Sequence, residues 1–202
     1  MSQTDTIATN DEGLLSGLRG FGVFMTVTGA VALVASIVLT VEKIHLLENP
    51  DGTLSCDLSA FVSCGGVVNQ WQASVFGPPN TLIGIVGFSV VVTVGVLLAS
   101  GSPLPRWWWG GLAAGVTFGV GFVTWLQSQS IYVIGRLCPY CMIVWTMMIP
   151  LFVVTMGQVL REYRPDAALT RVVNEWRVLI VALWLIVVVS LIWFKFGETL
   201  WA

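Results

Sequence analysis

The stretch PPNTLIGIVGFSVVVTVGVLLAS, Pro78 to Ser100, lies inside a run of 48 residues without a charge, Leu58 to Pro105, and its reading decides how often the chain crosses a membrane. The first part of the run, SAFVSCGGVVNQWQASVFGPPN, is too rich in Gly, Pro, Ser, Asn and Gln to sit in hydrocarbon. Thr81 to about Ser100 is apolar and of the length, roughly 20 residues, that a crossing helix needs. Pro78-Pro79-Asn80 opens it, and proline suits a first helical turn.

Working outward, four further charge-free runs mark spans: Gly20 to Val41, Trp107 to Gly135, Leu137 to Leu160 and Val178 to Phe194. The composition agrees, with 56% hydrophobic and 10% charged residues and a mean hydropathy of +0.86, against roughly 25% charged residues in soluble domains. An all-α integral membrane protein of five transmembrane helices is expected. The first run is read as a retained span: it is long, has only Arg19 close before it and lacks a small-residue cleavage site. The polar stretch MSQTDTIATNDEG is expected to be disordered. Lipid is the expected surrounding, and nothing points to nucleic acid.

Five spans divide the nine basic residues into two sets. Arg19, Arg106, Arg161, Arg164, Arg171 and Arg177 fall on one side, and Lys43, Arg136 and Lys195 on the other. The positive-inside rule then puts the N-terminus in the cytoplasm and the C-terminus outside. Cys56, Cys64, Cys138 and Cys141 all come to the external side, where disulfides persist. The orientation follows from the basic residues alone, so the two observations support each other.

Cys138 and Cys141, in RLCPYCMIVW, stand at i and i+3 of a helix start and share one face, about 5 to 6 Å apart between Cα atoms, within the range of a disulfide. Pro139 fits just inside the helix, whose unpaired N–H groups and positive dipole end favour a thiolate. A disulfide staple here would close too small a loop to restrict the unfolded chain much. Zinc would want paired CxxC knuckles, and the remaining cysteines are spaced C-x7-C, so redox chemistry is the better reading and no metal site is expected. Cys56 and Cys64 would be about 12 Å apart on one straight helix. A bond between them needs a bend between or just beyond them, for which Gly65-Gly66 offers a place. Such a bond could be purely structural or could exchange with the CxxC pair.

The electrons need an acceptor. His45 is the one histidine, Met142 follows CPYC where c-type haem attachment needs His, and Gly115, Gly119 and Gly121 sit mid-span as packing residues rather than a nucleotide fingerprint. A quinone dissolved in the lipid remains, by elimination.

A C-x7-C pair in the first external loop, an Asn opening the second span and CPYC opening the fourth together resemble the vitamin K epoxide reductase family, and specifically its bacterial disulfide-forming members, over Gly20 to Leu160. The unrelated four-span thiol oxidases, which carry CxxC before their loop pair, fit less well. The resemblance implies a four-helix bundle around a quinone, menaquinone or ubiquinone, with a fifth helix at the side, in the cell membrane of a bacterium. It divides the chain into a cytoplasmic tail (1–19), a catalytic bundle (20–160) with an external cysteine loop (42–78), a basic cytoplasmic loop (161–177) and a fifth helix with an external end (178–202). Cys141 would face the quinone, Cys138 would exchange with Cys64, and Cys56 would meet a secreted thioredoxin-fold protein. That partner is expected to be a separate chain, since no such domain follows the fifth span. The activity implied is a quinone-dependent thiol oxidase supporting disulfide formation in exported proteins. The alternatives are a quinone or quinone-epoxide reductase with another thiol donor, and a transporter, which the charge-free spans disfavour.

Asn80 matches the family asparagine that hydrogen-bonds a quinone carbonyl, although Asn also favours a helix cap. Two positions depart from the family. Asn69-Gln70 stand where members usually carry Ser or Thr, and Trp145, near the expected quinone site, replaces a tyrosine of the vertebrate members. Trp can stack or donate N–H but has no phenolic hydroxyl, which argues against epoxide reduction. Trp107-Trp108-Trp109 read as an interfacial aromatic belt, and His45 with Glu42 and Lys43 as a solvated rim.

Overall fold

The computed structural model describes residues 3–49, 52, 54–57, 59, 61–102 and 104–200, with side chains from Ser16 to Gly197. Residues 1–2 and 201–202, part of the expected tail and external end, lie outside the described residues. Helices are α1 (Gln3–Glu48), α2 (Cys64–Val68), α3 (Asn80–Ala99), α4 (Arg106–Ser128), α5 (Pro139–Tyr163), α6 (Ala168–Glu175) and α7 (Arg177–Leu200). A 3-10 turn (Trp71–Ser74) precedes α3, and a π-helical turn (Gln129–Ile134) extends α4.

Five of these helices are long and apolar enough to cross a membrane, at Ser16–Glu48, Asn80–Ala99, Arg106–Ile134, Pro139–Tyr163 and Arg177–Gly197. The chain is an all-α, multi-pass membrane protein. α1 corrects one expectation, because it starts at Gln3 and includes the polar stretch taken for disorder. Once nucleated in the apolar span, a helix adds one hydrogen bond for each residue fixed, so it propagates into polar sequence that would not start one.

α1 packs along α3 and α5, α5 packs on α4, and α7 rests on α5 with only 6% of its most apolar window buried. The α1–α3 contact is made by small residues. A Cβ on Gly22 would lie 2.3 Å from Ala99 N and 2.7 Å from Gly95 O, and one on Gly84 would lie 2.8 Å from Ser36 Oγ. Gly22, Gly29 and Ser36 recur every seven residues along α1, so the two backbones approach closely over most of their length. Of the mid-span glycines in α4, Gly119 alone packs tightly, its Cβ position 2.7 Å from Met148 Cε, while Gly115 and Gly121 face open space.

The three tryptophans at the start of α4 do not form one belt. Consecutive residues point about 100° apart around a helix. Trp107 is exposed, whereas Trp109 is buried and stacks on Phe21 with ring centroids 6.2 Å apart.

Candidate active site

All four cysteines gather at one end of the molecule, where α1 ends and α3 and α5 begin. Cys56 and Cys64 form a disulfide with Cα atoms 5.7 Å apart. The chain turns back between them, so the bend lies ahead of α2 and not at Gly65-Gly66, which are part of that helix. The glycines serve close approach instead: a Cβ on Gly66 would lie 2.3 Å from Arg136 Cδ. Lys43, riding on the end of α1, donates to Val68 O at 2.8 Å and places a cation at the C-terminal end of α2.

Asp57 holds the turn. Its carboxylate accepts from the Ser63 hydroxyl at 2.7 Å, Gly65 N at 3.1 Å and Leu54 N at 3.1 Å. Burial pushes the carboxyl up, but the Ser63 hydroxyl and the amides of Gly65, Leu54 and Cys64 outweigh it and hold Asp57 below its ordinary 3.8. A carboxylate depressed by folding adds stability above the unfolded value, and that contribution is lost as pH falls through the folded one. Asp57→Ala is therefore expected to speed reduction of Cys56–Cys64 by a phosphine several-fold at neutral pH, with wild type approaching the variant only under strong acid. Equal rates at neutral pH would show that Asp57 does not guard the disulfide.

Main-chain hydrogen bonds bring the second pair in. Ser63 N donates to Leu137 O at 2.9 Å and Leu137 N to Phe61 O at 2.8 Å, forming an isolated parallel bridge of Val62 with Leu137. Gly135, at φ 66°, lets the chain turn out of the π-helical turn toward that bridge. One residue past the bridge, Cys138 caps α5 with Pro139 at its first position. Its sulfur lies 3.3 Å from Cys64 Sγ, and both residues are 0% exposed. A thiolate so placed can attack a disulfide sulfur directly, and the exchange can run in either direction.

Cys138 and Cys141 are free thiols. Cys141, in the first turn of α5, borders a cavity of about 540 Å³ between α3 and α4, which lack the close packing that joins α1 to α3 and α4 to α5. Val90, Trp107 and Phe118 line it and are 50%, 70% and 55% exposed, so it opens sideways toward lipid. Its walls are almost wholly apolar apart from one end, where Gln72, Asn80 and Gln129 meet.

The family model for the vitamin K epoxide reductase family matches residues 23–156, more than half of the chain. The chain belongs to the vitamin K epoxide reductase family. The match contains all four cysteines, Asn80 and Trp145, and leaves out α7. A comparison with curated proteins finds no match. Family membership and the two adjacent cysteine pairs point to thiol redox chemistry by a membrane oxidoreductase.

Within the family framework the other candidate residues take definite places. Asn80 lies buried in the cavity wall, its Nδ2 donating to Gln72 O at 2.6 Å and its Oδ1 accepting from Val75 N at 3.3 Å. It does not cap α3, since the helix begins at Asn80 itself. Trp145 is buried on the wall near Cys141. Asn69 accepts from Lys43 at 3.4 Å and Gln70 donates to Gly66 O at 3.4 Å, and neither borders the cavity. His45 is exposed and does not border it either.

Sequence reasoning passed over Gln72 and Gln129. Gln72 belongs to the segment set aside as too polar to span, and only the fold brings it against a residue 57 positions away. Among the described residues three buried side-chain atoms lack a partner, Gln72 Oε1, Gln127 Nε2 and Thr155 Oγ1, and of these residues Gln72 borders the cavity. A buried acceptor left unpaired costs about 1 to 3 kcal/mol.

Proposed function

We propose that this protein is a membrane thiol oxidase that takes two electrons from a secreted thioredoxin-fold dithiol and delivers them to a membrane quinone, menaquinone or ubiquinone. The observation that carries the reading is the Cys64–Cys138 contact of 3.3 Å with Cys141 on the wall of a lipid-facing cavity.

In this reading the cysteine end lies outside a bacterial cell membrane, with Arg19, Arg106 and the arginines of 161–177 inside. A partner thiolate attacks Cys56 and releases Cys64, and the partner's second thiol completes its own disulfide. Cys56 is buried beneath exposed Ser55 and Asp57, so this attack requires the turn to lift. Cys64 thiolate then attacks Cys138 of a Cys138–Cys141 disulfide and releases Cys141. Attack of Cys56 on Cys64 restores the loop disulfide and frees Cys138 as a thiol. Both electrons now reside on Cys138 and Cys141, which is the pairing seen in the structure.

A quinone supplies an acceptor for two electrons and two protons as the Cys138–Cys141 bond forms again. The residues present fit such a ligand: apolar walls for a ring and its chain, an opening toward lipid, a free thiol on the wall, and a polar end where the amides of Gln72, Asn80 and Gln129 carry N–H donors as well as acceptors. Cys141 faces the ligand, Trp145 walls the site beside it, and Asn80, whose amide keeps a second hydrogen, is within the same wall.

The test is a trap. In Cys141→Ala the Cys138 thiolate can attack Cys64 of the Cys56–Cys64 disulfide and release Cys56 as a thiol, and no second CxxC sulfur can resolve the new bond, so a Cys64–Cys138 mixed disulfide is expected to accumulate when the freed Cys56 is capped by an alkylating reagent. Peptide mapping that finds only Cys56–Cys64, together with continuing quinone reduction, would overturn the relay.

A further inference from the structure

Gln72 and Gln129 form a pair of amides at the polar end of the cavity. Gln72 is 4% exposed, and its Nε2 donates to Gln129 Oε1 at 3.5 Å. Its own Oε1 has no partner, although both residues border the cavity together with Cys141. The main chain that carries each side chain is anchored from a separate direction. Asn80 Nδ2 donates to the main-chain carbonyl of Gln72 at 2.6 Å, and Gln129 begins the π-helical turn, which Ser130 ties down by donating from Oγ to Arg136 O at 2.5 Å.

An amide carries an acceptor on one arm and two donors on the other. In the arrangement described, the free polar arm of the pair is an acceptor, Gln72 Oε1, buried in the cavity wall. If both amides turn by half a revolution, Gln129 Nε2 donates to Gln72 Oε1, and Gln72 Nε2 becomes the free group, a donor. The pair therefore has two internally bonded states of opposite polarity at one point in space. A quinone oxygen makes the matching reversal, since it accepts as a carbonyl and donates as the hydroxyl of the quinol.

We propose that the Gln72–Gln129 amide pair binds one ring oxygen of a quinone and of its quinol, reversing its own polarity with the redox state of the ligand. The inference rests on the quinone reading of the cavity and deepens it. Asn80 acts in it as a positioning residue for Gln72. A fixed donor would hold the oxidised form and repel the product, whereas a reversible pair holds both with similar strength and leaves release to the lateral opening.

The experiment measures calorimetric binding of a decyl-chain benzoquinone and of its hydroquinone, anaerobically, to purified protein carrying Cys138→Ser and Cys141→Ser, which blocks electron transfer during the titration. Gln72→Met removes both polar arms at similar volume and is expected to weaken both ligands about tenfold, as loss of one hydrogen bond of roughly 1.4 kcal/mol would. Gln129→Glu places an ionised carboxylate that only accepts, which pins the Gln72 Nε2 group toward it and leaves Oε1 facing the ligand. The affinity for quinone relative to quinol is then expected to fall about tenfold, a shift that damage to the fold alone would not produce. Retention of the Cys56–Cys64 disulfide and of the melting temperature in each variant confirms folding. Unchanged affinities in Gln72→Met, or an unchanged ratio in Gln129→Glu, overturns the amide-pair proposal while leaving the quinone reading intact. If the protein with native glutamines binds neither ligand, the quinone reading falls, and this proposal with it.

Discussion

Cys138→Ser is expected to stop quinone reduction, lowering the steady-state rate about 10³-fold or more, the scale of losing a covalent nucleophile. Cys138 is the only sulfur the structure sets against the loop disulfide, at 3.3 Å from Cys64 Sγ among the described residues. A serine hydroxyl fills nearly the same volume at the start of α5 but cannot enter disulfide exchange. Cys56–Cys64 itself stays bonded, because its partners lie in the loop and α2. Purified variant mixed with a reduced thioredoxin-fold donor should then oxidise one equivalent of donor per protein and stall. Sustained turnover would mean that electrons leave Cys64 by another route.

Gly22→Leu is expected to have the largest effect on stability, about 3 kcal/mol or more, at the upper end of the cost of overpacking a tight interface. The atoms that even a Cβ would meet, Ala99 N at 2.3 Å, Gly95 O at 2.7 Å and Leu98 C at 2.8 Å, are all main chain. No side chain can swing aside, so α1 and α3 must separate. Gly121→Ala is the control, since no atom lies within 4 Å of its Cβ position and alanine favours a helix interior over glycine by about 1 kcal/mol. Thermal unfolding in detergent should lower the midpoint for the first variant and hold or raise it for the second. A Gly22→Leu midpoint equal to wild type would contradict the close packing of the two helices.

The five spans were legible because hydrocarbon excludes charge, and every span is bordered by charged residues, proline or glycine. Helix ends were less so. Hydropathy marked α1 as Gly20 to Val41, yet the helix continues through Glu42, Lys43 and His45 to Glu48, two residues before Pro50. What hydropathy detects is the solvent, and a helix is free to leave it. In the cysteine region, spacing showed that Cys56 and Cys64 could not be bonded on a straight helix but not where the chain turns. Asp57 settles that by gathering the donors of Leu54, Ser63 and Gly65. Gln72 and Gln129 were invisible for another reason: each is an ordinary polar residue in its own neighbourhood, and their meaning is a property of the pair.

The strap between Val62 and Leu137 consists of peptide groups alone, so the spacing of the two sulfurs beyond it owes little to the identity of the side chains around it. Apart from Asp57 and Ser63, whose side chains tie the turn itself, sequence drift in the loop can be wide without detuning the relay, provided that the amide hydrogens of residues 63 and 137 survive. Proline, which has no such hydrogen, is the one replacement at those two positions that unfastens the halves of the relay whatever its neighbours become.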